Sequence, residues 1–362
     1  MLFHGGLAIV MGRLVDRSGP SRIMVFCGAL IGLGLVLTSQ ITELWQLYVT
    51  YGIIVGSGVS GGFVTVTATT ARWFTRRRGL ALGIVSSGIG LGTMILVPLS
   101  ARLIIAYGWS TTYFIFGVAA SVLIIPSALL LRRDPGAKQL MASGEIEPTS
   151  NLTADDGEKA EHTALESGLP LKVAIRHRPI WVIFSIFFLF VFCLQMVMAH
   201  LVNYATDMGT APFIAATFIS IIGISSIAGR MLMGAAADRI GSNNALLICC
   251  IIFTATLLLL IFSRELWTFY LFAIAFGFAY GGEIPQIPAL VSHFFGLRAV
   301  AALVGFILLG SNIGGAIGAW AAGQIFDVTL SYQVAFMIAI IVSFFAAIMT
   351  LRLKKVQTIV SD

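Results

Sequence analysis

Two charged residues, Arg230 and Glu283, lie deep inside long apolar stretches of this sequence. Arg230 precedes Asp238, near the end of its stretch, by eight residues. An α-helix would therefore place it roughly 12 Å from that end. A guanidinium in apolar surroundings needs a partner, and its planar fork of donors matches a carboxylate. We predict that Arg230 holds an anionic ligand; the alternative is an ion pair internal to the protein.

The residues around Glu283 predict a bent helix. Pro285 and Pro288 lack the backbone donors that a regular helix needs, and two glycines precede the glutamate. A carboxyl group in surroundings of low dielectric constant favours its protonated form. Glu283 is therefore a candidate proton-coupling residue or a counter-ion of Arg230. The alternative is a protonated acid that is hydrogen-bonded to the backbone.

Polar residues also form a stripe on one predicted helix. Their spacing of i, i+3, i+4 and i+7 places them on a single face. Such a stripe either lines a polar pathway or hydrogen-bonds to neighbouring helices. The stripe consists of His200, Asn203, Tyr204 and Asp207, and His200 is a candidate proton relay. Further residues that could line the same pathway are Tyr280, Ser311 and Asn312.

The composition identifies the elements that must position these residues. Hydrophobic residues make up 58% and charged residues 10% of the 362 residues, whereas soluble chains carry roughly 25% charged residues. A soluble fold cannot bury so much apolar surface, so we predict an all-α polytopic membrane protein. The net charge of +6 then concerns orientation in the membrane rather than nucleic acid.

Ten apolar runs are long enough to cross a bilayer as helices, and a shorter run at 1–15 precedes them. The predicted spans are 23–41, 46–71, 80–106, 112–131, 180–206, 212–236, 244–263, 267–292, 299–326 and 332–351. Nineteen of the 22 Lys and Arg residues fall on one side of these spans. The positive-inside rule places that side, and the C-terminus, in the cytoplasm.

The spans divide the chain into two bundles. Residues 1–131 form an incomplete first bundle, and 180–353 form a second bundle of six helices. Between them, 132–179 is acidic and poor in aromatic residues, which predicts a solvated cytoplasmic linker. Residues 354–362 form a cytoplasmic tail.

Several kinds of chemistry have no motif in this sequence. The four cysteines all lie in apolar runs, which argues against a disulfide framework and a zinc site. We find no phosphate-binding loop for ATP and no G-x-S-x-G nucleophile. We therefore expect neither an enzyme nor a protein that needs a metal or cofactor.

The chain contains an internal repeat with an offset of 222 residues. The repeat indicates two homologous bundles in the same orientation. The clearest copies are Gly12-x-x-x-Asp16-Arg17-x-Gly19 and Gly234-x-x-x-Asp238-Arg239-x-Gly241, and the same offset pairs Glu43 with Glu265, Arg76 with Arg298 and Gly83 with Gly305. The first glycine of the motif permits a close helix approach. Its aspartate and arginine, at helix ends, are candidates for a conformational latch between bundles. The alternative is a tight turn with solvated charges.

The offset also leaves 180–222 without a counterpart in the first half. We therefore expect the first helix and the start of the second to be missing upstream of Met1. A gene truncation or a misplaced start codon would explain their absence. The alternative is a genuine protein of eleven spans.

Two six-helix halves with this motif between their second and third helices resemble the major facilitator superfamily. Within it, the sequence resembles the monocarboxylate porter branch, including the bacterial oxalate–formate antiporter type. The resemblance rests on 76–84 with Gly88 and Gly92, on Pro98-Leu99 and Tyr107-Gly108-Trp109, on 200–207, and on Gly229-Arg230. Two departures are Ser226, where the branch often has an acid, and the lack of lysine in 299–326, where the oxalate type has one. They make a substrate with a single carboxylate easier to accommodate.

The resemblance implies secondary active transport of small organic anions, namely monocarboxylates, by proton-coupled symport or exchange with alternating access. The implied substrate-binding residues are Arg230, His200, Asn203, Tyr204, Tyr280, Ser311 and Asn312, with Glu283 and His200 in proton coupling. We expect a monomer in the bacterial inner membrane. The alternatives are a carrier that exports drugs or neutral solutes, and a truncated protein that is inactive in transport.

Overall fold

The computed structural model describes residues 2–132 and 168–353. Most of the predicted linker and the predicted tail 354–362 lie outside the described residues. Within the described ranges the chain is helical, with one isolated β-bridge between Gly168 and Gly296. Nine of the described helices are long and apolar enough to cross a membrane.

The first half consists of five helices. α1 is Leu2–Ser18, α2 is Pro20–Thr38, and α3 is Leu44–Trp73 with a π-helical segment at Tyr48–Val55. The stretch Arg78–Leu129 turns at Gly108, whose φ of 80° and ψ of 167° are not helical. The turn divides the stretch into α4 (78–107) and α5 (109–129).

The second half consists of seven helical segments that make six passes. They are α6 (Arg178–Asp207), α7 (Pro212–Ile240), α8 (Ser242–Phe262), α9 (Leu266–Glu283), α10 (Gln286–Phe295), α11 (Val300–Thr329) and α12 (Gln333–Leu353). The predicted single span 267–292 is therefore two helices. Ile284 and Pro285 separate them, because Pro285 and Pro288 cannot donate the bonds that would continue α9.

The predicted boundary of the linker at residue 179 was too late. The Leu169 amide donates to the Phe295 carbonyl oxygen at 2.9 Å, and Leu171 and Ala174 are buried. The end of the linker therefore already packs against the second half.

The glycine that closes each copy of the repeated motif turns the chain between two helices. Gly19 between α1 and α2 has a φ of 86°, and Gly241 between α7 and α8 has a φ of 85°. This region favours glycine because it has no β-carbon. Pro20 then begins α2 at a position where its missing amide costs no helical bond. Both turns lie at one end of the molecule, which we call the basic end because exposed Arg13, Arg17, Arg77, Arg239 and Arg298 lie there.

The halves contact each other through two helix pairs, α1 with α11 and α4 with α7. In each pair glycine brings the backbones together. A β-carbon on Gly83 of α4 would collide with the carbonyl oxygen of Arg230, and one on Gly305 of α11 would collide with that of Ala8. Both members of these contacts are related by the 222-residue offset. The two contacts are therefore pseudo-symmetric in geometry as well as in sequence.

The halves contact each other mainly between the basic end and mid-depth. Beyond Gly90, the described side chains of α4 at 91–96 and 99–107 are all exposed or half-buried. The bundles are thus closed on each other at the basic end.

Candidate functional site

Arg230 lies on α7 with 1% of its surface exposed. Its Nη1 donates to the Ser226 hydroxyl at 2.7 Å, one helical turn earlier, and its Nη2 donates to the Tyr280 hydroxyl at 3.3 Å. The guanidinium carbon lies 5.2 Å from the centre of the Tyr280 ring, within the range of a cation–π contact. The Nε–H has no hydrogen-bond partner. The cation is thus held in place but is not neutralised.

Arg230 also lies against the first half. An ideal β-carbon on Gly90 of α4 would lie 3.0 Å from Nη1. The guanidinium therefore occupies the contact between the two bundles, and Gly90 makes room for it. Arg230 and Glu283 form no ion pair; in the described residues the ion pair within 4 Å is that of Arg72 with Asp16.

Glu283 is the last residue of α9 and is fully buried. Neither carboxyl oxygen makes a hydrogen bond, although the Cys250 thiol faces them without the geometry of one. The Cys193 and Cys249 thiols also lie near the carboxyl group. Glu283 therefore points into the second bundle, next to the helix break. The counter-ion and backbone-bonded interpretations both describe contacts that this structure does not contain.

The predicted stripe on α6 is not a single polar face. Tyr204 is buried, lies 5.0 Å from the Phe336 ring between centroids, and donates to the Leu260 carbonyl oxygen at 3.4 Å. His200 Nε2 lies 3.1 Å from the Ala319 carbonyl oxygen of α11. Asn203 and Asp207 are exposed. Tyr204 thus lies in the packed core, which is the helix-contact alternative, and does not line a pathway.

Ser311 and Asn312 lie on α11 where it contacts α1. The Ser311 hydroxyl donates to its own helix at Ile307. Asn312 donates to Leu308, while its Oδ1 lies 3.3 Å from Nδ1 of His4 in the first half. Sequence reasoning missed His4, although the offset of 222 places it on Ser226, a neighbour of Arg230.

The aspartates of the repeated motif bond across the bundle contact. Asp16 accepts hydrogen bonds from the amides of Ala301, at 3.4 Å, and Ala302, at 2.9 Å, in the first turn of α11. Asp238 accepts from those of Gly79 and Leu80, at 2.6 and 2.9 Å, in the first turn of α4. These amides have no partner within their own helix, and a carboxylate there is stabilised by the helix dipole.

The remaining motif residues divide into two kinds. Gly12 and Gly234 allow the close approach, since a β-carbon on either would collide with backbone of the opposite half. Arg17 and Arg239 are exposed and bond to neither aspartate. The cation that pairs with Asp16 is instead Arg72 of α3, at 2.6 Å. Sequence reasoning missed it because Arg72 was counted among the charges of a loop.

Twelve helical segments in two pseudo-symmetric bundles, with a buried cation between them, define a membrane protein of the transporter class. A family model described as Major Facilitator Superfamily matches residues 1–266 and 229–360. The chain belongs to this superfamily. The resemblance inferred from the sequence, including that to monocarboxylate transporters, is therefore confirmed.

Related sequences and structures agree with this assignment. An uncharacterised MFS-type transporter of Escherichia coli, YhjX, is 27% identical over 85% of this chain and 73% of its own length. Rat monocarboxylate transporter 13 is 26% identical over 90% of this chain and 71% of its own length. Among solved structures, the E. coli fucose:proton symporter FucP has a TM-score of 0.74 at 17% identity, with 99% of this chain and 90% of FucP covered. The human organic anion transporter MFSD10 has a TM-score of 0.72 at 14% identity, covering 96% of this chain and 81% of that one.

The chain is thus an integral, multi-pass membrane protein with the major facilitator fold, and it is similar to monocarboxylate transporters at about 26% identity. The family and the fold are those of transporters rather than of enzymes.

Proposed function

We propose that the protein is a secondary active carrier of small organic anions, of the monocarboxylate class, and that Arg230 binds the substrate carboxylate. The observation that carries the proposal is the state of Arg230. It is buried between the two bundles, its Nε–H has no partner, and no carboxylate of the described residues pairs with it. A buried cation without a counter-charge is costly, and an anionic substrate would supply both the charge and the acceptor.

The number of cations supports a single carboxylate. Arg230 is the basic residue buried at mid-depth of the second half, and the position four residues before it is the neutral Ser226. The Tyr280 and Ser226 hydroxyls hold the guanidinium in one orientation, which limits the entropy lost on binding. A second carboxylate would find no matching guanidinium there.

Alternating access would use the motif residues at the basic end. In this structure Asp16 and Asp238 join the bundles there, with Gly12 and Gly234 at the close approach. We propose that these contacts stabilise the state closed at the basic end and break when it opens. We place that end in the cytoplasm because exposed arginines surround it.

Glu283 is the proposed proton-coupling residue. Its carboxyl group lies inside the second bundle, apart from Arg230, and ends the helix at the break between α9 and α10. A proton there would act through the shape of this broken helix rather than by direct contact with the substrate. His200 remains a proposed relay on α6. We propose a monomer in a bacterial inner membrane.

Uptake of radiolabelled lactate or pyruvate into proteoliposomes tests the proposal. We expect uptake by the wild type and none by Arg230→Ala. Arg102→Ala is the matched control, because Arg102 is exposed on α4 and should leave uptake unchanged. Uptake that survives Arg230→Ala would exclude the anchor. Transport of neutral or cationic compounds, unaffected by Arg230→Ala, would favour the drug or neutral-solute carrier instead.

A further inference from the structure

The two bundle contacts at the basic end share their backbone geometry. In each, a motif aspartate of one half accepts from two amides in the first turn of a helix in the other half. The amides of Gly79 and Leu80 are related to those of Ala301 and Ala302 by the same offset of 222 residues that relates the aspartates. Any difference in strength must therefore come from the side chains around them.

The aspartates differ in burial and in charge compensation. The Asp16 side chain is 10% exposed, and Arg72, which is 3% exposed, donates to it at 2.6 Å. Asp238 is exposed, and its hydrogen bonds are the two backbone ones. The position equivalent to Arg72 in the second half is Phe294, which offers no charge. A buried, paired carboxylate is screened less by solvent and salt than an exposed one.

A second difference lies at mid-depth. On the α1–α11 side, His4 and Asn312 form a side-chain hydrogen bond between the halves. Their equivalents on the α4–α7 side are Ser226 and Gly90. Ser226 donates to Gly223 and accepts from Arg230, both in its own half, and Gly90 has no side chain. This side therefore lacks a bond between the halves at that depth.

One further bond joins the halves near the α4–α7 contact. Nη1 of Arg78 donates to the Ser292 hydroxyl of α10 at 3.1 Å. This bond has a neutral acceptor and is weaker than the buried ion pair on the other side. The balance still favours the α1–α11 contact.

We propose that the basic end opens asymmetrically: the α1–α11 contact acts as the hinge, and the α4–α7 contact separates first. Arg72 is the positioning residue for this hinge, because it compensates Asp16. Since Arg230 lies on the α4–α7 side, its ligand would leave along the edge that opens. The inference rests on the alternating access of the proposed function and specifies how it proceeds.

Distances between spin labels across the two contacts test the inference. The pair Ser18→Cys with Ala299→Cys spans the α1–α11 side, and Ile240→Cys with Arg77→Cys spans the α4–α7 side. The offset relates these pairs, so they are matched controls for each other. The four native cysteines are buried, which favours labelling at the introduced sites. We expect the wild type to show a long-distance population mainly for the second pair.

Variants give the direction of the effect. Asp238→Asn should raise the long-distance fraction of the α4–α7 pair about tenfold, because two hydrogen bonds lose their charge, and leave the other pair unchanged. Arg72→Met should raise that of the α1–α11 pair about a hundredfold, because Asp16 stays buried without its cation. Arg72→Lys, which keeps the charge, should restore most of the closed population, and a variant that does not fold is replaced by Asp16→Asn.

Two results would overturn the inference: equal widening of both pairs in Asp238→Asn, or no widening of the α1–α11 pair in both Arg72→Met and Asp16→Asn. The distances are measured without substrate. A protein that transports no organic anion would therefore leave them standing, and symmetric opening would leave the role of Arg230 untouched.

Discussion

Gly83→Ala should open the basic end without unfolding the protein. The β-carbon of an alanine there would collide with the carbonyl oxygen of Arg230, which belongs to the backbone and cannot turn away. Overpacking of this kind costs about 1–3 kcal/mol, and the cost exists only while α4 and α7 touch. The equilibrium should therefore shift by about 5- to 150-fold toward the state open at the basic end, since 1.4 kcal/mol is a factor of ten.

The shift can be measured with spin labels at Ile240→Cys and Arg77→Cys. Gly92→Ala is the control on the same helix, because a β-carbon there meets nothing within 4 Å. Both substitutions improve helix propensity by about 1 kcal/mol, and this gain is the same in both conformations and cancels. If Gly83→Ala and Gly92→Ala give the same distance distribution, the close contact seen here does not control the conformational equilibrium, and our reasoning fails.

Three further predictions concern single side chains. Arg230→Lys keeps the charge but loses the planar fork, so KM for a transported carboxylate should rise about 30-fold, or about 2 kcal/mol for one charge-assisted bond, in initial-rate uptake; an unchanged KM would contradict the fork. Glu283→Gln cannot exchange a proton, so uptake should no longer respond to an inward proton gradient while counterflow at equal pH continues; a persisting response would move the coupling site elsewhere. Tyr204→Ala should lose about 3–5 kcal/mol of unfolding free energy because a core aromatic is removed, whereas Tyr204→Phe should melt like the wild type, since the bond to Leu260 is long; thermal unfolding in detergent decides, and the reverse order would contradict a core role.

The helical membrane architecture could be predicted from the sequence because lipid imposes a minimum length on each apolar run. The ends of the helices agree with the predicted spans within a few residues, and the break at Ile284 and Pro285 follows from proline chemistry. The pairing of the two halves was visible in the offset of 222 residues.

The side-chain partners could not be predicted in the same way. Arg72 lies near a helix end, like the arginines that set orientation, and only the packing of α3 against α1 buries it beside Asp16. Tyr204 shares a helix face with His200, yet the aromatic cluster around Phe336 turns it into the core. Burial of these residues depends on neighbours distant in sequence, which periodicity along one helix does not report.

The exchange of aspartates between the halves has an evolutionary consequence. Each half carries both the carboxylate that is given and the helix start that receives one, as Asp16 with Gly79 and Asp238 with Ala301 illustrate. A surface that contains both members of a reciprocal contact is what an isologous, two-fold homodimer requires. A single ancestral half could thus have assembled with its own copy through the same patch before duplication and fusion joined the two, and Arg72 on one side and Phe294 on the other then record how far the joined copies have diverged.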